Sequence, residues 1–190
     1  MSTRSFTRRR FLATAGSVLS LSALRADDRS NPKLPDGSDA KDMITPEAQK
    51  AIDRGLAFLA SSQHKQDGSW GHDRQQYAGN VAVSSLAGLA FMSGGHLPGR
   101  GNYGPVVEKA IEYVLGRESK QAGSPPGFLF QPANTQFGAM YSHGFGTLLL
   151  GEAYGAISNK ALQKRVRETL ERAVKLIIDT QNDEIGRAHV

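Results

Sequence analysis

The chain has 190 residues, no cysteine, and 23 Lys and Arg against 18 Asp and Glu. Without cysteine it cannot be a disulfide-stapled scaffold. The net charge of +5 would suit an acidic partner, but Arg4, Arg8, Arg9, Arg10 and Arg25 all lie in the leading segment 1–26, which holds no acidic side chain. The remainder carries 18 charges of each sign, so it offers no basic footprint for nucleic acid.

That leading segment, with "TRRRFLATAGSVLSLSAL" inside it, sets Arg8 and Arg9 just before Phe11 and Leu12 and then runs on in small and apolar residues. The segment resembles a twin-arginine export signal. Its apolar run, Phe11 to Leu24, is too short and too rich in small residues to span a bilayer. Cleavage after Ala26 is expected, although Leu24 at the minus-three position is larger than such sites prefer. Residues 27–44 are polar, contain proline and have no periodicity, which reads as a flexible linker.

"TPEAQKAIDRGLAFLASSQ" (45–63) then carries the marks of a helix start. Thr45 can cap, Pro46 suits the first helical position, and Glu47 favours the positive end of the helix dipole. Ala48, Ile52, Leu56 and Leu59 recur at helical spacing, and Ala51, Gly55 and Phe58 broaden the apolar face.

The same frame returns twice. Arg54-Gly55, Phe58-Leu59 and Gln63 recur as Lys109-Ala110, Tyr113-Val114 and Glu118, and again as Arg172-Ala173, Leu176-Ile177 and Gln181. The two intervals are similar but not identical, as the basic residues Arg54, Lys109 and Arg172 show. "QDGSWG" follows the first frame, and "GSPPGFLF" (123–130) follows the second more loosely. Between the frames lie "YAGNVAVSSLAGLAFMSGG" (77–95) and "YSHGFGTLLLGEAYGA" (141–156), almost uncharged and rich in Gly, Ala and Ser. A surface helix usually has a charged face, so these two are expected to be covered on most sides. Strand signals are confined to "GFLF". The fold class expected is all-α, with charged outer helices alternating with small-residue inner ones.

The frame Arg54-Gly55-x-x-Phe58-Leu59-x3-Gln63-x4-Gly68-x-Trp70 resembles the QW motif of squalene and terpene cyclases, within the prenyltransferase/squalene-cyclase repeat superfamily. The resemblance covers residues 45–183, with one strong copy and two degenerate ones. It implies a partial α/α toroid built from helical hairpins, in which the glutamine and tryptophan of each turn fasten the ends of outer helices. On this reading Gln63, Gly68, Trp70 and Gln181 are structural. Gln63 can bond carbonyls at the helix end, Asp67-Gly68 is a turn pair, and the Trp70 indole can find a carbonyl. His64, Asp67, His72 and Asp73 also have the chemistry of metal ligands. They sit on a turn without evident supporting partners, so no metal is assigned to them.

The resemblance also implies that chemistry would sit on the inner helices near their N-terminal ends, which points to Tyr77, Asn80, Tyr141 and His143. His143, Thr147 and Tyr154 share a helix face, while Glu152 projects elsewhere. His143 could serve as a general base, or it could simply be hydrogen-bonded between packed helices, the commoner role. Glu152, a carboxylate in an apolar run, becomes a functional candidate if buried. The glycine-rich loop 98–105 around Tyr103 lacks the Lys-Ser/Thr of a phosphate loop, and no cofactor is expected.

Neither the Asp-x-Asp-Asp acid motif of squalene–hopene cyclases nor the Asp-Asp-x-x-Asp magnesium motif of ionising terpene synthases is present, and the zinc site of protein prenyltransferases needs a cysteine. Three functions stay open. The first is an exported isoprenoid-cyclase-like protein binding or isomerising an apolar polyprenyl substrate. The second is a non-catalytic toroid of the macroglobulin kind, and the third a polysaccharide lyase or hydrolase on an α/α ring. The last would need paired carboxylates, and the inner helices offer only Glu152.

The C-terminal stretch "EIGRAHV" (184–190) matches what a common sequencing adapter encodes in one reading frame, where another Gly-x-aromatic turn is due. It is expected to be non-native, and the chain a fragment. The last helix should then pack Val166, Leu170, Val174 and Ile177 on one side, and an uncovered repeat end should favour self-association.

Overall fold

A computed structural model describes residues 44–72, 77–132 and 138–181. The leader, most of the linker and the 184–190 tail lie outside the described residues. Among the described residues there are five helices and no strand: α1 (Pro46–Ser62), α2 (Val81–Ser93), α3 (Gly104–Leu115), α4 (Ala139–Tyr154) and α5 (Lys160–Asp179). None of these helices is long and apolar enough to cross a membrane. "GFLF" contributes one isolated antiparallel bridge, Leu129 with Glu118.

The helix starts are written locally. The Thr45 side chain accepts the Ala48 N–H at 3.2 Å, with Pro46 in the first turn as expected. Asn80 caps α2 by accepting the Val83 N–H at 3.1 Å, and Asn159 caps α5 through the amides of Ala161 and Leu162. A cap of this kind contributes about 1 kcal/mol.

The two small-residue helices, α2 and α4, pack side by side. α1 leans on α2, α3 on both α2 and α4, and α5 on α4 and α3. Glycine explains the close approach at two points. A β-carbon on Gly88 would lie 3.1 Å from the Leu149 side chain, and one on Gly146 would lie 3.1 Å from Leu129 and 3.2 Å from Val81. The core they enclose is centred on Phe91, Val107, Ile111, Val114, Leu149 and Leu150.

Two expectations need correction. α2 is covered on most sides, with only Leu86 and Ser93 exposed, but α4 is not: Tyr141, Gly144, Leu148, Gly151 and Glu152 are exposed. The low charge of α4 therefore marks a bare face as well as a buried one. The buried stripe of α5 is Leu162, Val166, Thr169, Ala173 and Leu176, whereas Leu170 and Ile177 are half-buried and Val174 is exposed. The stripe is rotated because α4 and α3 flank α5 on one side only. α1 is similarly one-sided: Leu56 is buried, Leu59 half-buried, and Ile52 and Phe58 are exposed.

Candidate functional site

The turn after α1 is a hydrogen-bonded joint. At the helix end the Gln63 N–H turns to Ala60 O, which releases the Leu59 carbonyl, and the Trp70 indole N–H donates to it at 2.8 Å. The Gln63 amide donates to Gly68 O within its own turn and to Val106 O in the first turn of α3, both at 3.0 Å. Trp70 is 3 % exposed and packs beside Phe91. Gly68 adopts φ +80°, and a β-carbon there would lie 2.7 Å from Lys109 O. The turn thus rests directly on the backbone of α3.

The turn after α3 repeats this geometry with different side chains. Gly127 has φ +82°, and a β-carbon on it would meet the backbone of Arg172 and Ala173. Glu118, at the frame position of Gln63, accepts the Gly127 N–H at 3.0 Å and holds Arg172 by two bonds of 2.6 and 2.7 Å. Thr169, at the frame position of Val106, donates to the same carboxylate. The Arg172 guanidinium holds the Glu118 carboxyl below its usual range, although partial burial works against it.

Each turn is also pinned by the helix that follows it. The Trp70 N–H donates to Ser84 Oγ at 3.1 Å, and the Leu129 N–H donates to His143 Nδ1 at 3.2 Å. Ser84 and His143 are separated along the chain by the same interval as Gly68 and Gly127, so the offset of the turn glycines would have paired them from sequence. Sequence reasoning missed Ser84, and it read Tyr113 only as an apolar frame position, whereas its buried hydroxyl donates to Gly79 O. Burial pushes the Tyr113 hydroxyl up to about 12, and Arg117 lies 4.8 Å above its ring.

His143 is fully buried, and both its ring nitrogens are engaged, Nδ1 by Leu129 and Nε2 by Ala173 O at 3.2 Å. Burial lowers its pKa, only partly opposed by the Ala173 carbonyl. A neutral imidazole accepting at Nδ1 and donating at Nε2 satisfies both partners, which leaves no nitrogen for a substrate. Asn80 is spent as the α2 cap.

Glu152 is exposed rather than buried in the apolar run. Nine positions on from His143, it lies about 180° around α4, and the two cannot form an acid–base pair. Tyr141, Leu148 and Glu152 instead share one face of α4. Leu89, Met92, Leu97, Leu148 and Glu152 line a shallow groove of about 480 Å³ between the C-terminal halves of α2 and α4. Tyr103 is elsewhere, packed on Phe91 and His96.

The other cluster is His64, Asp67 and His72, with one donor atom of each within 4.8 Å of the others. Asp73 lies outside the described residues. Contrary to the sequence expectation, the cluster has supporting partners. Asp67 Oδ1 accepts from the Ser69 amide and hydroxyl and is 2.9 Å from His64 Nδ1, while Ser69 Oγ is 2.7 Å from His72 Nε2. The two imidazoles stack at 4.0 Å. Partial burial works to raise the Asp67 carboxyl, but the Ser69 and His64 hydrogen bonds together carry it below its usual value. These bonds close the turn on itself through His64 Nδ1, Asp67 Oδ1 and His72 Nε2.

Comparisons with protein-family models, with curated proteins and with solved structures find no match, so the resemblance to the squalene-cyclase repeats rests on the residues quoted above.

Proposed function

We propose that the folded region is an exported repeat module, of the kind found as a segment of an α/α toroid, that holds an elongated apolar ligand of polyprenyl type. The observation that carries this reading is the apolar groove between α2 and α4, where half-buried Leu89 and Met92 and exposed Leu148 stand with Glu152 as the one carboxylate. A polyprenyl chain is neutral and flexible, and each methylene it buries contributes about 0.8 kcal/mol. The groove volume lies in the range of small-molecule sites, roughly 300–1,000 Å³. Cyclisation or isomerisation would require an acid and a base facing the same ligand. With His143 turned into the core and Asn80 capping a helix, the non-catalytic form of the reading is favoured. The leader pattern supports export: a reporter fused to the segment 1–26 should cross the membrane, and replacing Arg8 and Arg9 by Lys should stop it.

The test is titration with a dansyl-labelled geranylgeranyl alcohol. Saturable binding that Leu148→Asp weakens at least tenfold, and that Glu152→Gln leaves within about twofold, supports a binding groove. No saturation, or equal affinity in Leu148→Asp, overturns it.

A further inference from the structure

A second cleft, of about 340 Å³, opens beside the turn after α3 and is bordered by Arg117, Glu118, Ser119, Lys120, Phe130 and Gln131. Two short runs held antiparallel build it. Around the Glu118–Leu129 bridge, the Ser119 N–H donates to Phe128 O at 2.8 Å and the Phe130 N–H to Arg117 O at 3.3 Å. Side chains alternate along such a pair. Glu118 turns to α5, where Arg172 and Thr169 hold it, and Leu129 enters the core. That leaves Arg117, Ser119 and Phe130 at the cleft, with the half-buried Phe130 ring stacked 4.5 Å from Phe128.

Donors are in excess here. The Arg117 guanidinium is fixed 4.8 Å over the Tyr113 ring and gives Nη1 to Gln131 Oε1 at 3.0 Å. Its Nε is buried without a hydrogen-bond partner, an uncommon state for a buried donor, and Nη2 has no partner among the described residues. Because Gln131 turns its oxygen to Arg117, its amide nitrogen remains as a further donor. Lys120 is exposed, and among the described residues neither it nor Arg117 pairs with a carboxylate. The one acid at the rim, Glu118, is matched by Arg172. The positive charges of Arg117 and Lys120 therefore stand uncompensated beside an aromatic wall.

We infer that this cleft binds a small organic carboxylate with a flat apolar body, its carboxylate held by Arg117 and Lys120 and its body laid against Phe130. A guanidinium already held flat on a ring loses little further freedom on binding, and its fork matches the two oxygens of a carboxylate. The apolar body matters because partly exposed charges hold an anion only weakly in water. The volume lies at the small end of ligand sites, which run roughly 300–1,000 Å³. No residue is shared with the groove between α2 and α4, so the inference stands or falls independently of the polyprenyl reading.

Titration of the isotope-labelled full chain with naphthoate, followed by amide chemical shifts, tests it. Naphthoate should saturate, with the largest shifts at Ser119, Lys120 and Gln131. Neutral naphthalenemethanol, which lacks the charge, and inorganic phosphate, which lacks the apolar body, should each bind at least about tenfold more weakly. Arg117→Gln should weaken naphthoate by at least about tenfold. Since that change also removes the contact with Tyr113, Lys120→Glu supplies a second variant at an exposed position. Its thermal midpoint should be unchanged and its affinity lower by about threefold or more. Leu148→Asp, in the other groove, should leave naphthoate binding as it is. No saturation by about 10 mM naphthoate, equal affinity for the alcohol or for phosphate, unchanged affinity in Lys120→Glu, or shifts centred on Leu148 overturns the proposal.

Discussion

Gly127 lies against the backbone of Arg172 so closely that a β-carbon on it would sit 2.4 Å from the Arg172 carbonyl carbon. Gly68 stands in the same relation to Lys109, which occupies the frame position of Arg172. The frame is therefore repeated in contacts, one turn lying on the basic residue of α3 and the other on that of α5.

Replacing either glycine by alanine combines a positive φ with a backbone clash that no side-chain rotation relieves. Gly127→Ala should cost about 2–4 kcal/mol and Gly68→Ala somewhat less, because its nearest atom is 2.7 Å away rather than 2.4 Å. Gly144→Ala, inside α4 with nothing within 4 Å of the new methyl, should instead stabilise by up to about 1 kcal/mol. Urea denaturation of the three variants checks the order, and equal losses at all three would mean that the turns do not rest on the helices.

The joint after α1 should be the most sensitive point of the N-terminal hairpin. Gln63→Leu strips bonds from the carbonyls of Gly68 and Val106 and should cost about 1–3 kcal/mol. Trp70→Ala also removes a buried indole and should cost about 3–5 kcal/mol. Trp70 is the sole tryptophan, so its emission should be blue-shifted in the folded chain and should shift red in the same transition that abolishes helicity. Two separate transitions would show that α1 and its turn unfold apart from the rest.

Zinc separates the two uses of the His64, Asp67 and His72 cluster. Because Ser69 already ties Asp67 Oδ1 to His72 Nε2 within the turn, neither zinc nor a chelator should move the thermal midpoint by more than about 1 °C. A saturating rise that His72→Ala abolishes would make the turn a metal centre after all.

The fold was legible where one residue type had one physical use. Thr45 with Pro46 announces α1, and the Gln63, Gly68 and Trp70 spacing announces a joint because only glycine accepts that φ and only the indole reaches Leu59. The second turn was harder to read because the same contact is made by a charged pair, Glu118 with Arg172, in place of an amide. Helix orientation was not legible. An uncharged helix such as α4 has no face that sequence alone can assign, so Glu152 reads as a carboxylate in an apolar setting and yet stands exposed. For the same reason sequence does not choose between catalysis and packing for His143. What decides it is the Leu129 amide and the Ala173 carbonyl, and a backbone group leaves no trace in the sequence.

That placement of His143 has a pH signature. Burial lowers its pKa from the ordinary 6.5, so the folded chain resists a proton that the unfolded chain accepts. The stabilising contribution is present above 6.5 and is lost as pH falls from there through the folded value. Protonation would also turn Nδ1 from acceptor to donor against the Leu129 N–H, which adds a second reason for opening. Stability measured by urea should therefore fall between pH 7.5 and pH 5, before most carboxylates titrate, and the fall should be shallower in His143→Gln. That variant should be less stable at pH 7.5 by about 1–3 kcal/mol, since the glutamine amide does not span both partners. A wild-type profile flat across this window, or an unchanged slope in His143→Gln, would show that the imidazole is not held neutral in the core.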